Sequence, residues 1–373
     1  MRILYVVREI AQTGVVTHVR DLSIEMIKRG HSVTLLTGGK KTEDDKGLNH
    51  LYQSLLDIGI KIDIIRYPLS NMSRGKYCCY LIYSFFQTLF YLFSHKYDII
   101  HLHTPVLSFI FKFSFRKFVL TRHLAGMKLG RFYQRPTKEI AISSSTYQDA
   151  LDSGMNDSDV YLIYNGVNAR FSNILSSRDI LSIKMDKNVC QNKFIIGFVG
   201  AFCYRKGVDV LLNSCDLLLE KGFSDFQIIL LGNAIKSSDK IWFCDLLNKT
   251  KCKNNILVFD YEDPHDFYRI FDVMVLPSRR EGFPLVTLEA MLSGCCCIRS
   301  NTDGATEQIQ NGVDGLLFEN ENYSELSILL IKMMQCPDYR ISLAAAGKRK
   351  ALENFTSDLM ADKTLQVYHD LSC

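Results

Sequence analysis

Short apolar runs rich in Val, Ile and Leu alternate along the chain with longer segments whose apolar positions recur every three to four residues. The first kind reads as buried strands and the second as amphipathic helices. In the first half, the strand pattern covers residues 2–7, 32–37, 61–65, 98–102, 117–121, 139–142 and 160–163. In the second half it covers 193–199, 226–231, 256–259, 273–276, 296–299 and 315–318. Helical periodicity covers 16–28, 208–221 and 285–293, and Gly30, Gly222 and Gly294 follow these segments. Glycine at that place suits a left-handed C-cap. Strand and helix in alternation predict an α/β chain with parallel sheets.

At 373 residues the chain exceeds what one core usually serves. A second strand–helix series restarts at Lys193, after the polar stretch 171–192. The predicted organisation is a first domain over 1–170, a linker over 171–192 and a second domain over 193–355, with 356–373 returning to the first domain as an amphipathic helix. The apolar opening is cut short by Arg8 and Glu9, so it reads as a first strand and not as a secretory signal. The twelve cysteines include the run Cys295-Cys296-Cys297 and lack zinc-type spacing. Neighbouring cysteines on a strand point to opposite faces, so reduced thiols in a cytoplasmic setting are expected.

The densest candidate chemistry lies between Arg280 and Ala290, where Glu281 and Glu289 are separated by seven residues. Gly282, Phe283, Pro284 and Leu285 lie between them as a turn into a helix, with Pro284 expected at the first helical position. The N–H groups of such a helix start, backed by its dipole, capture phosphate. A carboxylate on each side of the captured phosphate can hold hydroxyl groups, which suits a nucleotide diphosphate sugar.

Three further places carry candidate groups. Arg205 and Lys206 sit in a turn bounded by Gly200 and Gly207, directly after a predicted strand, where parallel sheets bind ligands. Gly14 precedes the first predicted helix and lets a phosphate approach the backbone. His123 follows the strand at 117–121; His101 and His103 alternate at the end of another strand, and His18 lies on the first helix. Asp157-Ser158-Asp159 fits a metal-binding Asp-x-Asp pattern but has no second acidic cluster nearby, so it reads as a solvated turn.

These segments, in this order, resemble the bacterial family 4 glycosyltransferases with the two-domain GT-B architecture. The resemblance is carried by 13–19, 29–34, 98–103, Thr121-Arg122-His123, Asn165-Gly166-Val167, 200–207, 281–289 and 312–318. It implies two Rossmann-like domains with parallel sheets facing a cleft, and a retaining transferase that assembles surface polysaccharide. By the same resemblance Glu281 and His123 serve the donor sugar, Glu289 holds the ribose, the Gly282–Leu285 backbone contacts sugar and diphosphate, and Gly14 meets a phosphate. Lys206 matches the family's lysine. Ala201 stands where an arginine is usual, and Arg205 is expected to replace that charge. Glu307 is read as structural. Arg205 and Lys206 can neutralise a leaving diphosphate, so neither metal nor other cofactor is expected. A nucleotide-sugar 2-epimerase of the same fold and a non-catalytic scaffold subunit stay open as alternatives, as do oligomeric state, donor and acceptor.

Charge and aromatic content point to one more partner. Residues 64–138 hold twelve Lys and Arg against the single acid Asp98, a local charge of +11 in a chain of net +4. Residues 77–118 hold 14 of the 42 aromatic residues. A basic, aromatic, nearly acid-free segment suits an anionic membrane surface. Peripheral association with the inner face of the cell membrane, near a glycan or lipid-linked acceptor, is therefore expected, and no nucleic-acid partner is.

Overall fold

The thirteen predicted strands all form, each within two residues of its expected ends. The structure, a computed structural model, describes residues 1–40, 46–67, 72–114, 116–126, 133–173, 175–234 and 236–372. The chain divides into two compact units, Met1–Gly166 with Ser357–Cys373, and Val167–Thr356.

In the first unit, β1 (Arg2–Val6), β2 (Ser32–Thr37), β3 (Lys61–Ile64), β4 (Ile99–Leu102), β5 (Val119–Arg122), β6 (Lys138–Ala141) and β7 (Val160–Leu162) pair in the order β3-β2-β1-β4-β5-β6-β7. Every named pair is parallel. Helices α1 (Gly14–Lys28), α2 (Lys46–Asp57), α3 (Arg74–Ser94), α4 (Ser108–Lys112) and α5 (Ser144–Asp152) connect the strands. Successive β1 residues feed opposite faces: Ile3 and Tyr5 join one buried cluster, Leu4 and Val6 the other. A parallel sheet covered on both faces requires that continuous apolar run.

In the second unit, β8 (Phe194–Val199), β9 (Phe226–Leu231), β10 (Ile256–Phe259), β11 (Val273–Leu276), β12 (Cys296–Ser300) and β13 (Leu316–Phe318) form the order β10-β9-β8-β11-β12-β13. Its helices are α6 (Ser177–Asp186), α7 (Val208–Glu220), α8 (Ser237–Lys249), α9 (His265–Ile270), α10 (Leu285–Leu292), α11 (Ala305–Gln308), α12 (Tyr323–Gln335) and α13 (Pro337–Asn354). The final helix, α14 (Ser357–Ser372), belongs to the first unit and packs on α1. Arg29 fixes one end of that contact through Asp358 at 2.5 Å and Asp362 at 2.8 Å.

The division falls at Gly166 and Val167, and the stretch 171–192 is not a bare linker. Position 174 of that stretch lies outside the described residues. Phe171 is buried, Arg170 pairs with Asp263 at 2.6 Å, and Lys187 pairs with Glu262 at 2.5 Å. Ser176 and Asp179 cap α6 reciprocally, which starts a helix where composition alone showed only polarity.

Each sheet reverses its strand order once, between β1 and β4 in the first unit and between β8 and β11 in the second. Ligands of open α/β sheets bind beyond the carboxyl ends of the strands that flank such a reversal. The segments after those four strands therefore locate the candidate sites.

Candidate functional site

In the second unit, the turn after β8 and the turn after β11 meet. Tyr204–Lys206 forms one 3-10 turn after β8, and Lys206 Nζ donates to Glu281 Oε1 at 2.5 Å. The Arg205 guanidinium is 3.7 Å from the same oxygen and donates to the Arg280 carbonyl at 3.0 Å. Arg279 holds the two turns in register: it donates to the Tyr204 carbonyl at 2.6 Å, forks onto Asp209, and lies over the Tyr204 ring. Burial pushes the Glu281 carboxyl up, but Lys206 and Arg205 outweigh it, and the net result lies below the usual glutamate range. Glu281 is thus a buried carboxylate with a half-buried ammonium on one side and an exposed guanidinium on the other.

The turn from Gly282 into α10 is held from beneath. Pro284 occupies the N-cap position (φ −66°, ψ 128°), one residue earlier than expected, so α10 starts at Leu285. The proline ring fixes φ, and the extended ψ makes it the last residue before the helix. Gln308 donates to the Pro284 carbonyl at 3.0 Å and accepts from buried Arg299, whose pKa burial pushes down to about 10. On the far side of α10, Tyr268 donates to Glu289 Oε2 at 2.8 Å, and both side chains are buried. Glu289 lies one turn into α10, so helix-dipole complementarity in the first turn does not account for it.

Gly304 closes the arrangement. Its φ is +68°, and a Cβ there would meet the Gly282 carbonyl oxygen at 2.3 Å and Phe283 at 3.2 Å. Gly304→Ala is expected to cost at least about 1–2 kcal/mol from backbone handedness alone. It should also displace the Gly282–Phe283 turn. Gly222→Ala is the control, since its φ is +83° and nothing lies within 4 Å of its Cβ position. Thermal melting with and without a nucleoside diphosphate should show weakened binding for Gly304→Ala only.

In the first unit, Gly14 is the first residue of α1, two positions ahead of the predicted start, with Thr13 as N-cap. Four histidines gather near the ends of β4 and β5. His101 shares hydrogen bonds with Tyr368 and Thr121, both at 2.7 Å. His103 Nδ1 lies 3.1 Å from His123 Nε2, and His18 Nδ1 lies 3.0 Å from Asn165 Oδ1. Burial lowers the pKa of His18 to about 4, opposed by its bond to Asn165. Burial, then the neighbouring imidazoles, holds His101, His103 and His123 well below the usual range. All four are neutral at pH 7.

Two family models divide the chain between them. Residues 12–171 match the model described as Glycosyltransferase Family 4, and residues 181–350 match Glycosyl transferases group 1. The chain belongs to glycosyltransferase family 4. A capsular polysaccharide biosynthesis glycosyltransferase of Staphylococcus aureus, CapM, is 25% identical over 238 residues, 62% of this chain and 61% of that protein's length. An uncharacterised 41.2 kDa protein in the cps region of Klebsiella pneumoniae is 28% identical over 310 residues, 74% of this chain and 79% of that protein. The crystal structure of Anabaena HepE in complex with UDP and glucose superposes with a TM-score of 0.83 over 98% of each chain, at 18% identity. That last likeness is one of fold, and with it the two parallel-sheet units are those of a GT-B glycosyltransferase.

Within this family 4 chain, the structure brings Arg205, Lys206, Glu281 and the Gly282–Leu285 turn together, with Glu289 on the same helix start. It places Gly14 and His123 in the first unit, His123 among other histidines and not alone. Asp157 and Asp159 each have partners, Tyr147 at 2.7 Å and Lys138 at 3.0 Å. Sequence reasoning missed Gln308, Arg299, Gly304 and Tyr268 as supports of the turn. The only available signal was Gly304-Ala305-Thr306-Glu307, read one residue short of Gln308.

Proposed function

We propose that this chain transfers a sugar from a nucleotide diphosphate sugar to a lipid-linked or lipopolysaccharide acceptor in surface polysaccharide assembly, with retention of anomeric configuration. The observation that carries this reading is the convergence of Lys206 and Arg205 on Glu281 at the strand-order reversal of the second unit. A bound diphosphate offers those two cations a second anion, and they neutralise the charge that develops as the nucleoside diphosphate leaves. No step of that reading calls on a metal. Glu281 takes the sugar hydroxyls, Glu289 the ribose, and the Gly282–Leu285 backbone the diphosphate. Gly14 and His123 serve the same transfer from the first unit. The relative named for capsular polysaccharide biosynthesis and the HepE complex with UDP and glucose support the class of product and of donor.

The test is a transfer assay with a panel of labelled nucleotide diphosphate sugars and bacterial lipid extract or lipopolysaccharide core. Label moving into the acceptor with an α linkage from an α-linked donor is the expected result. A β-linked product, or epimerised sugar nucleotide with no transfer, would contradict it.

The same proposal places the first unit against a membrane surface. Helix α3 is inverted for a globular protein: its buried residues are Ser84, Thr88 and Leu92, whereas Ile82, Phe86, Phe90 and Phe93 are 61–75% exposed. These four fall on one face at spacings of three and four residues, so a single plane can cover them. Arg74, Lys76 and Lys96 are exposed at the two ends of the helix. Within 64–138, positions 68–71, 115 and 127–132 lie outside the described residues. No described helix is long and apolar enough to cross a membrane. A Phe86→Ser/Phe90→Ser/Phe93→Ser chain is expected to bind anionic vesicles roughly tenfold or more weakly, given about 1.5–3 kcal/mol for each fully covered side chain. Vesicle sedimentation at low salt measures it, and unchanged binding would remove the membrane from the proposal.

A further inference from the structure

We propose that His18, His103 and His123 form a site for one divalent transition-metal ion of the zinc class. One nitrogen from each ring can be chosen so that all three lie within 4.8 Å of one another. The three side chains come from separate elements, α1, the residue after β4 and the residue after β5, and they converge beyond the carboxyl ends of the first unit's strands. His18 and His103 are each 3% exposed, and the Nε2 atoms of both are buried without a hydrogen-bond partner. A buried imidazole nitrogen left unpaired needs a reason. For His18 the geometry supplies one. Its Nδ1–H donates to Asn165 Oδ1 at 3.0 Å, which fixes the tautomer and leaves the Nε2 lone pair directed away from the amide. Metal-ligating histidines are oriented in this way, through a hydrogen bond from the other ring nitrogen.

The nitrogen pair between His103 and His123, 3.1 Å apart, holds one shared proton at most. Two ligands of a tetrahedral ion at about 2.1 Å are themselves about 3.4 Å apart, so an ion can replace that proton with little movement of the pair. The three nitrogens lie within 4.8 Å of one another, so bringing His18 to a ligand spacing of about 3.4 Å closes at most about 1.4 Å, within side-chain reach. The donor set is three neutral imidazoles with neither thiolate nor carboxylate, which selects zinc, cobalt, nickel or copper over magnesium and calcium. Three protein ligands leave a fourth position for water or another oxygen donor. Neutralising the leaving diphosphate is already given to Arg205 and Lys206 of the second unit, and the ion is assigned no part in it. Its consequence is competition, and this part rests on the functional reading above: His123 engaged by metal is withdrawn from the sugar, so the ion slows transfer.

The experiment uses the full chain after chelator treatment, titrated with Co²⁺ and followed by visible absorption. An intense d–d band saturating at one ion per chain, displaced by Zn²⁺, is expected. A His18→Gln/His103→Gln chain with wild-type circular dichroism should lose it. A Cys78→Ser/Cys79→Ser chain should keep it; this control matters because both thiols are exposed and are alternative soft donors. Should the histidine variant fail to fold, paramagnetically shifted imidazole N–H resonances in the wild-type Co²⁺ chain give an independent reading, expected from three histidines. Absence of the band, its persistence in the folded histidine variant, its loss in the cysteine variant, or shifted resonances from fewer than three histidines would overturn the proposal. Zn²⁺ inhibition of transfer is read separately. A metal-bound chain whose transfer rate is unchanged would contradict the role of His123 in transfer and leave the metal site standing.

Discussion

Sugar transfer by an Arg205→Ala/Lys206→Ala chain is expected to fall by roughly 10²–10³-fold or more in kcat, on the scale of removing one preorganised stabiliser of a developing charge. The loss should appear in kcat more than in KM, because the cations gain most from the diphosphate as its bond to the sugar breaks. Lys206 is expected to contribute more than Arg205, being 2.5 Å from Glu281 and half-buried where Arg205 is at 3.7 Å and exposed. Lys206→Ala also leaves Glu281 buried without its nearest cation, so some stability is lost with activity. The pH dependence separates the two effects. Glu281 has its folded pKa held below the ordinary glutamate value, so its contribution is present above that ordinary value and disappears as pH falls through the depressed one. Melting curves over that acid range should converge for wild type and Lys206→Ala, while near neutrality they stay apart. Steady-state kinetics showing transfer within a few-fold of wild type would refute the leaving-group role.

Glu139→Ala is expected to destabilise the first unit by about 3–5 kcal/mol, the usual cost of orphaning one member of a buried ion pair. Arg122 Nε donates to Glu139 Oε1 at 2.6 Å, and the two side chains are 1% and 0% exposed. Arg122 also donates to Ser153, and Tyr133 donates to the second Glu139 oxygen at 3.3 Å, so the removal unpicks a network spanning β5, β6 and α5. Burial raises the Glu139 pKa by more than Arg122 lowers it, so the pair itself adds little over an apolar substitute. An Arg122→Met/Glu139→Leu chain should therefore melt nearer to wild type than Glu139→Ala does. Calorimetry of the first unit's transition measures both, with a fall in Tm on the order of 10 °C expected for the single variant. Equal melting of the single variant and wild type would show that the guanidinium finds water or another anion.

What the sequence made legible was the part governed by local pattern. β11, and β9 from Ile228 onward, are uninterrupted apolar runs, as a strand buried on both faces requires. The glycines after α1, α7 and α10 carry φ values of +78°, +83° and +76°, which only a C-cap explains at all three. The pair of carboxylates Glu281 and Glu289 was legible because they lie in one stretch of chain. Their supports were not, because Gln308 and Tyr268 reach Pro284 and Glu289 across some twenty residues that no periodicity links. The histidines illustrate the same limit. His18, His103 and His123 are each unremarkable in sequence, and only the adjacency of β1, β4 and β5 brings them into contact. Helix α3 shows the converse, since composition marked its segment as aromatic and nearly acid-free, but only the structure shows that Ser84 and Thr88 turn inward with Leu92.

The most direct test of the donor site is equilibrium binding of nucleoside diphosphates to the wild-type chain and to a Lys206→Ala/Glu289→Ala chain, read by thermal shift. A ligand at about 100 times its Kd adds roughly 2.7 kcal/mol of stability. At least one of UDP, GDP, ADP or CDP should raise the wild-type melting temperature of the second unit and leave that of the folded variant nearly unmoved. An equal shift in both chains, or no shift with any of the four, would contradict the assignment of the Glu281–Glu289 segment as the nucleotide-sugar site.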